Sequence, residues 1–257
     1  MKKITRRPTA FVTLQTDHGP MLVNRHDYGV GFQLLHYSSY DPEEVHIVLQ
    51  LLETRREHYG DGVVAIDGGA NLGVHTIEWA RLMHGWGEVL AIEAQERIFY
   101  ALAGNITLNN CFNARALWAA LGTEKGSIEV PIPNYFVPSS FGSLEIKQRS
   151  NNEFIGQKID YEGGKTSTTQ MLSIDSLQLQ RLDFLKIDIE GMEIEALQGA
   201  EESLKNLKPQ LLIEKIKSNE QDILHFVSNL GYAVYPVGGN FLAIHKSDPA
   251  VHKIYRK

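Results

Sequence analysis

Cysteine is almost absent: Cys111 is the only one in 257 residues, so no intramolecular disulfide can form and the fold does not depend on an oxidising compartment. Long apolar runs are missing too. No stretch reaches the roughly 20 apolar residues that a membrane-spanning helix needs, and polar residues break the basic start, MKKITRRPTAFVTLQTDHG, before an apolar run of signal-peptide length. Positive charge is not in excess: 25 Lys and Arg against 31 Asp and Glu give a net charge of -6, which leaves no overall field to gather a phosphate backbone. There is no internal repeat and no heptad array. These absences predict a soluble, cytoplasmic protein that handles neither a membrane nor long nucleic acid. Its oligomeric state is not written in the sequence.

What is present is an ordinary globular mixture, 43% apolar and 22% charged, long enough for one large α/β domain with additions. Residues 9–35 carry the runs AFVTL, MLVN and GFQLL between turn-like DHGP and HDYG, which predicts a small antiparallel β cap. Asp41-Pro42-Glu43-Glu44 then reads as a helix start. Asp41 supplies a cap, Pro42 the first helical position and Glu44 a capping box, with the helix running to about His58.

From residue 61 short apolar runs alternate with amphipathic stretches, the pattern of strands joined by crossover helices. Strands are predicted at 63–67, 88–93, 114–118, 184–189 and 210–214, and helices at 73–84, 96–109, 191–205 and 219–230. YAVYPVGGNFLAIH closes the chain as a hairpin about Gly238-Gly239. The expected architecture is Rossmann-like α/β: a mostly parallel sheet with an antiparallel terminal hairpin, residues 1–60 as a β/helix cap and 61–257 as the main domain, in one compact unit. Between 131 and 170 the periodicity fails, which predicts an insertion over the site.

Asp67-Gly68-Gly69-Ala70-Asn71-Leu72-Gly73 ends a predicted strand and opens a predicted helix, bringing bare backbone to the ligand edge of an open α/β sheet. Glu93 lies 20 residues after Gly73 at the next strand end, where a carboxylate accepts from both hydroxyls of a ribose. Together they predict an adenosine-containing cofactor. The dinucleotide spacing G-x-G-x-x-G, which aims a helix at a pyrophosphate, occurs in no register because Asn71 stands where a glycine is wanted. A sulfonium cofactor without phosphate, S-adenosylmethionine, suits carboxylates near the loop better.

DGGANLG, AIEAQ, FLKIDIEGMEIEALQGA and LLIE together resemble the FkbM-type methyltransferases, whose patterns are D-x-G-A-N-x-G, an acidic strand end, L-K-x-D-x-E-G-x-E and L-L-x-E; the resemblance covers about residues 22–245. It implies a Rossmann-like class I methyltransferase fold, S-adenosylmethionine as cofactor, and O-methylation of a small molecule or saccharide. One departure is Ala94, where the family often has proline. By the same resemblance Asp67, Gly69, Asn71 and Gly73 line the methionine portion, with Gly68 and Ala70 beside them in the loop. Glu93 then holds the ribose, Gln95 the adenosine edge, and Ala120 packs on adenine. His75, in the first turn of the following helix, is a further cofactor-site candidate, and Asn105 reads as structural.

In FLKIDIEGMEIEALQGA, Asp188 and Glu190 end an apolar strand, a placement that costs desolvation unless the groups are paired, protonated or bound to a cation. Methyl transfer to oxygen needs an in-line nucleophile and a proton acceptor. Asp188 is the first candidate for that base and Glu190 the second. The alternative use is a divalent ion held by Asp188, Glu190 and Glu214. Glu193 reads more simply as complementing the dipole of the helix that follows.

Other features carry less. Pro133-Asn134-Tyr135 is a misordered echo of the N-P-P-Y motif of amino-group methyltransferases; Lys186 reads as an ion-pair partner; Tyr135, Phe136 and Phe141 as tethers of the insertion; KKITRR and HKIYRK as solvated tails. Two rival functions stay open: a nucleotide-dependent oxidoreductase and a non-catalytic cofactor-binding module.

Overall fold

A computed structural model describes residues 9–251; the basic KKITRR and HKIYRK segments lie outside the described residues. The chain opens with β1 (Phe11–Thr16) and β2 (Gly19–Asn24), an antiparallel pair. The third expected β run, GFQLL, is instead helical and belongs to α1 (Val30–Tyr37). Asp27 explains the difference: its two carboxylate oxygens accept from the Gly29 and Gly31 N–H groups at 2.9 Å each, satisfying donors that a helix start leaves free. Val30 and Leu34, four residues apart, form the buried stripe.

Helix α2 (Pro42–Tyr59) begins at Pro42 as expected, yet the expected cap is missing. Asp41 sits at φ 44° and its side chain bonds no helix N–H. Glu44 does not complete a capping box either, because its carboxylate is taken by His75, 3.2 Å away, and by the Asn240 side-chain amide.

The main domain follows as β3 (Val63–Gly68), α3 (Val74–Leu82), β4 (Gly87–Glu93), α4 (Glu96–Leu108), β5 (Ala114–Trp118), β6 (Ala120–Leu121), β7 (Gly126–Pro131) and β8 (Thr166–Leu172). After a 3-10 turn come β9 (Phe184–Ile187), α5 (Glu193–Gln198), α6 (Glu201–Leu207), β10 (Gln210–Glu214), α7 (Glu220–Asn229), β11 (Tyr232–Val237) and β12 (Asn240–His245). The single helix expected over 191–205 is two. Gly199 approaches the Gly122 carbonyl so closely that a Cβ would fall 2.1 Å from it, and Asp175 caps the second segment by accepting from the Glu202 and Ser203 N–H groups.

Seven strands form the main sheet in the order β11-β12-β10-β9-β3-β4-β5. The five central strands pair in parallel, and the terminal hairpin is antiparallel throughout. Chain order reverses between β3 and β9, so their carboxyl ends flank the switch point where open α/β sheets bind ligands. A second sheet, β6-β8-β7, had no sequence signal, because β6 has only two residues. Strand β8 also shortens the irregular insertion, which spans 132–165 rather than 131–170.

Cap residues Met21, Val23, Leu34, Val48 and Leu52 share one buried cluster with Val63, Ala65, Ile77 and Trp79 of the main domain. Asn105 is structural: its amide exchanges bonds with the Leu22 backbone and donates to the Leu72 carbonyl at 2.8 Å. Arg55 of α2, buried, bridges Asp183 at 3.1 Å and Asp248 at 2.8 Å, tying the helix to the start of β9 and the end of the described chain. No helix among the described residues is long and apolar enough to cross a membrane.

Among the described glycines the tightest approach is at Gly69, at φ 75°, where a Cβ would fall 1.7 Å from the Asp188 carbonyl oxygen. Gly85 has a similar φ of 80° and open space around it. Gly85→Ala should therefore cost only the backbone term, about 1–2 kcal/mol, whereas Gly69→Ala should cost about 3 kcal/mol or more. Equal losses in urea unfolding would show that the backbone contact does not govern the loop.

Candidate active site

Asp67 is the last residue but one of β3, β9 runs out into Asp188, and the two strands pair in parallel with Asp67 opposite Lys186. Both carboxylates face one buried ammonium, Asp67 from the interior and Asp188 from a partly exposed position. The Lys186 ammonium lies 2.9 Å from Asp188 Oδ2 and 3.9 Å from Asp67 Oδ1. Burial works to lower the Lys186 pKa, but the charges of Asp188, Asp67 and Glu44 outweigh it and leave it raised, so the side chain stays cationic. Asp67 Oδ2 accepts from the Thr76 hydroxyl at 2.6 Å, which anchors the first turn of α3 to the strand.

A cavity of about 500 Å³ opens over these strand ends. Its walls separate the expected site residues. Gly69, Ala70, Asn71, His75, Glu93, Gln95, Ala120, Asp188, Glu190 and Glu214 line it; Asp67, Gly68 and Gly73 do not.

Glu93 is buried and doubly held: Oε2 accepts from the Asn71 N–H at 3.0 Å and Oε1 from the Gln95 N–H at 2.8 Å. Burial pushes its pKa up to about 7, against the lowering effect of those N–H groups. Gln95 has its amide engaged, donating to the Phe141 carbonyl at 2.7 Å and accepting from the Tyr135 hydroxyl at 3.4 Å. His75 places Nε2 3.2 Å from Glu44 and packs its ring 5.7 Å from Trp79, so it joins the loop helix to α2.

At the other end, Asp188, Glu190 and Glu214 each offer a carboxylate oxygen within 4.8 Å of the others. Two of the three already face an ammonium: Asp188 that of Lys186, and Glu190 that of Lys217, 2.5 Å away. Glu214 Oε2 is a buried atom without a hydrogen-bond partner. Burial, reinforced by the neighbouring carboxylates, raises Glu190 to about 8 and Glu214 to about 9. Glu193, fully buried, accepts from the Ile189 and Gly191 N–H groups at 3.1 Å each and from the Ser218 hydroxyl. It shapes the turn that presents Glu190 at φ 59°, beyond the helix-dipole role read for it.

Three contributors had no sequence signal. Tyr40, between α1 and α2, lines the cavity, and burial followed by the charge of Asp188 raises its hydroxyl pKa, keeping it a proton donor. Asn240, in the hairpin, lines the same wall. Lys217 also donates to the Ser143 carbonyl at 2.8 Å, joining the insertion to the acidic end. Phe136, expected as a tether, is half exposed and does not line the cavity, whereas Phe141 is buried.

The raised carboxyls tie stability to pH. Glu93, Glu190 and Glu214 titrate near 4.5 when unfolded and near 7, 8 and 9 when folded, so the folded state binds more protons across that interval. Their stabilisation is complete below 4.5 and is lost as pH climbs through 7 to 9. Thermal unfolding should show Tm falling by several degrees between pH 6 and pH 9; a Tm that holds or rises over that range contradicts the burial of these groups.

A family model for the methyltransferase FkbM domain matches residues 67–234, about two thirds of the chain. Over 172 residues the chain is 23% identical to the methyltransferase sdnD of Sordaria araneosa, covering 58% of this chain and 64% of that one. It is similar to the crystal structure of methyltransferase FkbM from Methylobacillus flagellatus, at 19% identity over 72% of this chain and 43% of that one, with a TM-score of 0.47. It is also similar to an O-methyltransferase from Bacillus cereus in complex with SAH, at 18% identity over 81% and 83% of the two chains, with a TM-score of 0.46. The chain thus spans less than two thirds of the first two relatives. With its motifs and match running from the glycine loop into the terminal hairpin, the chain belongs to the FkbM methyltransferase domain family.

Proposed function

We propose that the protein transfers a methyl group from S-adenosylmethionine to a hydroxyl oxygen of a small molecule or saccharide. The observation that carries this reading is the charge of the cavity wall. Carboxylates line both ends, and among the described residues Lys186 is its only lysine and no arginine lines it. A pyrophosphate would bring further negative charge to carboxyls that burial already holds back from ionising, which weighs against a nucleotide-dependent oxidoreductase; a cationic sulfonium would favour their ionised form. The reading places the protein in the cytoplasm, since Cys111 is a free buried thiol.

The residues present fit that cofactor. Gly69 to Leu72 offer bare backbone, Glu93 keeps spare lone pairs for ribose hydroxyls, and Gln95 and Ala120 flank the adenine side of the cavity. When bound, S-adenosylmethionine supplies an electrophilic methyl on a positively charged sulfur. The protein's task is then to align the acceptor oxygen and take its proton.

Asp188 is fixed by Lys186 at 2.9 Å, which suits it to orienting the acceptor hydroxyl. Glu190, raised to about 8, has the proton affinity a base needs near neutral pH. This reverses the order read from sequence. The convergence of Asp188, Glu190 and Glu214 within 4.8 Å favours one second reading, a divalent ion that lowers the hydroxyl pKa.

Titration calorimetry should show S-adenosylhomocysteine binding and NADH not binding, with Glu93→Ala weakening the first about tenfold or more, the loss of charge-assisted ribose bonds. Incubating S-adenosylmethionine with a panel of saccharides and hydroxylated small molecules should release S-adenosylhomocysteine, unchanged by EDTA and lowered about 10²-fold or more in Glu190→Gln. NADH binding alone would sink the reading; loss of turnover in EDTA would move it to the metal. Cofactor binding with no turnover by any acceptor, and indifference to Asp188→Ala, would leave a non-catalytic binding module.

A further inference from the structure

The irregular insertion is fastened at both ends of the cavity. At the Glu93 end, Gln95, itself only 7% exposed, donates its side-chain amide to the Phe141 carbonyl at 2.7 Å and accepts from the Tyr135 hydroxyl. Gly142 packs so closely on the glycine loop that a Cβ there would lie 2.7 Å from Asn71 Nδ2. At the acidic end, Lys217 donates to the Ser143 carbonyl at 2.8 Å and pairs with Glu153 at 2.9 Å, while Arg149 donates to the Gly191 carbonyl. Between these anchors, Ser140, Gly142, Ser143 and Leu144 form cavity wall.

The anchoring residues are themselves ligand-side groups. Asn71 and Gln95 donate the two N–H bonds that hold Glu93, and Lys217 holds Glu190. Any ligand that fixes the Asn71–Glu93–Gln95 arrangement therefore also fixes the seat of Phe141 and Gly142. By thermodynamic reciprocity a docked insertion must strengthen the ligand by the same factor.

We propose that Gln95 and Gly142 are positioning residues that couple docking of the insertion to occupancy of the cofactor half of the cavity. This rests on the function proposed above and assigns the insertion to the cofactor as well as to the acceptor. Gln95 then acts by fastening Phe141, and its amide needs no adenosine contact. A Cβ at Gly142 would have to displace the Asn71 side-chain amide from its place against the insertion.

Hydrogen exchange measured by mass spectrometry on the full chain, with and without S-adenosylhomocysteine, tests this directly. Binding should slow exchange about tenfold or more over 139–147 as well as over 67–75 and 93–96, a factor within the usual range of coupled sites. Gly142→Ala, whose only close neighbour atoms belong to the ends of flexible side chains, should keep the wild-type Tm. It should nevertheless weaken S-adenosylhomocysteine about tenfold and abolish the extra protection of 139–147. Gln95→Leu should behave alike, and Gln95→Glu, which keeps only the acceptor for Tyr135, should not rescue.

Protection confined to 67–75 and 93–96 would overturn the coupling while leaving the cofactor reading intact. Unchanged affinity in Gly142→Ala would overturn it too. Absence of protection anywhere would instead remove the cofactor reading on which the coupling rests.

Discussion

Lys186 sits in the interior at the carboxyl end of the central strands, 2.9 Å from Asp188 and 3.9 Å from Asp67, and the rest of the site depends on that placement. A buried ammonium without partners would lose its proton. The charges of Asp188 and Asp67 outweigh that burial and keep Lys186 cationic. Asp67 can then hold Thr76 and the start of α3 at 2.6 Å, and Asp188 can stand at the cavity wall. One cation thus lets two adjacent strands both end in acid, and the backbone contact between Gly69 and the Asp188 carbonyl locks the two turns together.

Beyond that pair the charge is deliberately unbalanced. Glu93, Glu190 and Glu214 hold protons more tightly than carboxyls in water because burial comes first among the causes of their shifts. Such groups store a cost at high pH that a cationic ligand would offset, and on the proposed reading that ligand is the sulfonium. The cap and hairpin share in this wall. Glu44 links α2 to His75 of the loop helix and to Asn240 of the hairpin, so three remote stretches of chain meet on one carboxylate.

Much of the sheet was legible because its strands are short apolar runs at the right spacing, and the glycine loop because its spacing is tied to a backbone approach. The acidic ends were legible for a similar reason: charge on a buried strand is costly and therefore conspicuous. GFQLL misled because its apolar letters suit a strand, while the deciding group, Asp27, lies outside the run. Asp41 and Glu44 misled in the opposite sense, since a perfect local capping signature gave way to long-range partners. Tyr40 and Lys217 could not be read at all, because their roles come from which loops meet over the cavity. Asp67, Gly68 and Gly73 do not line the cavity that their loop neighbours do, and the sequence cannot say which side of a turn faces a cavity.

The central claim is that the two strand ends form one site, with cofactor at the glycine loop and transfer at the acidic turn. A crystal structure with S-adenosylhomocysteine tests it most directly. The account predicts ribose hydroxyls on Glu93 and the sulfur directed toward Asp188 and Glu190. Ligand density lying outside this cavity, or a sulfur turned away from the acidic turn with the ribose off Glu93, would contradict it.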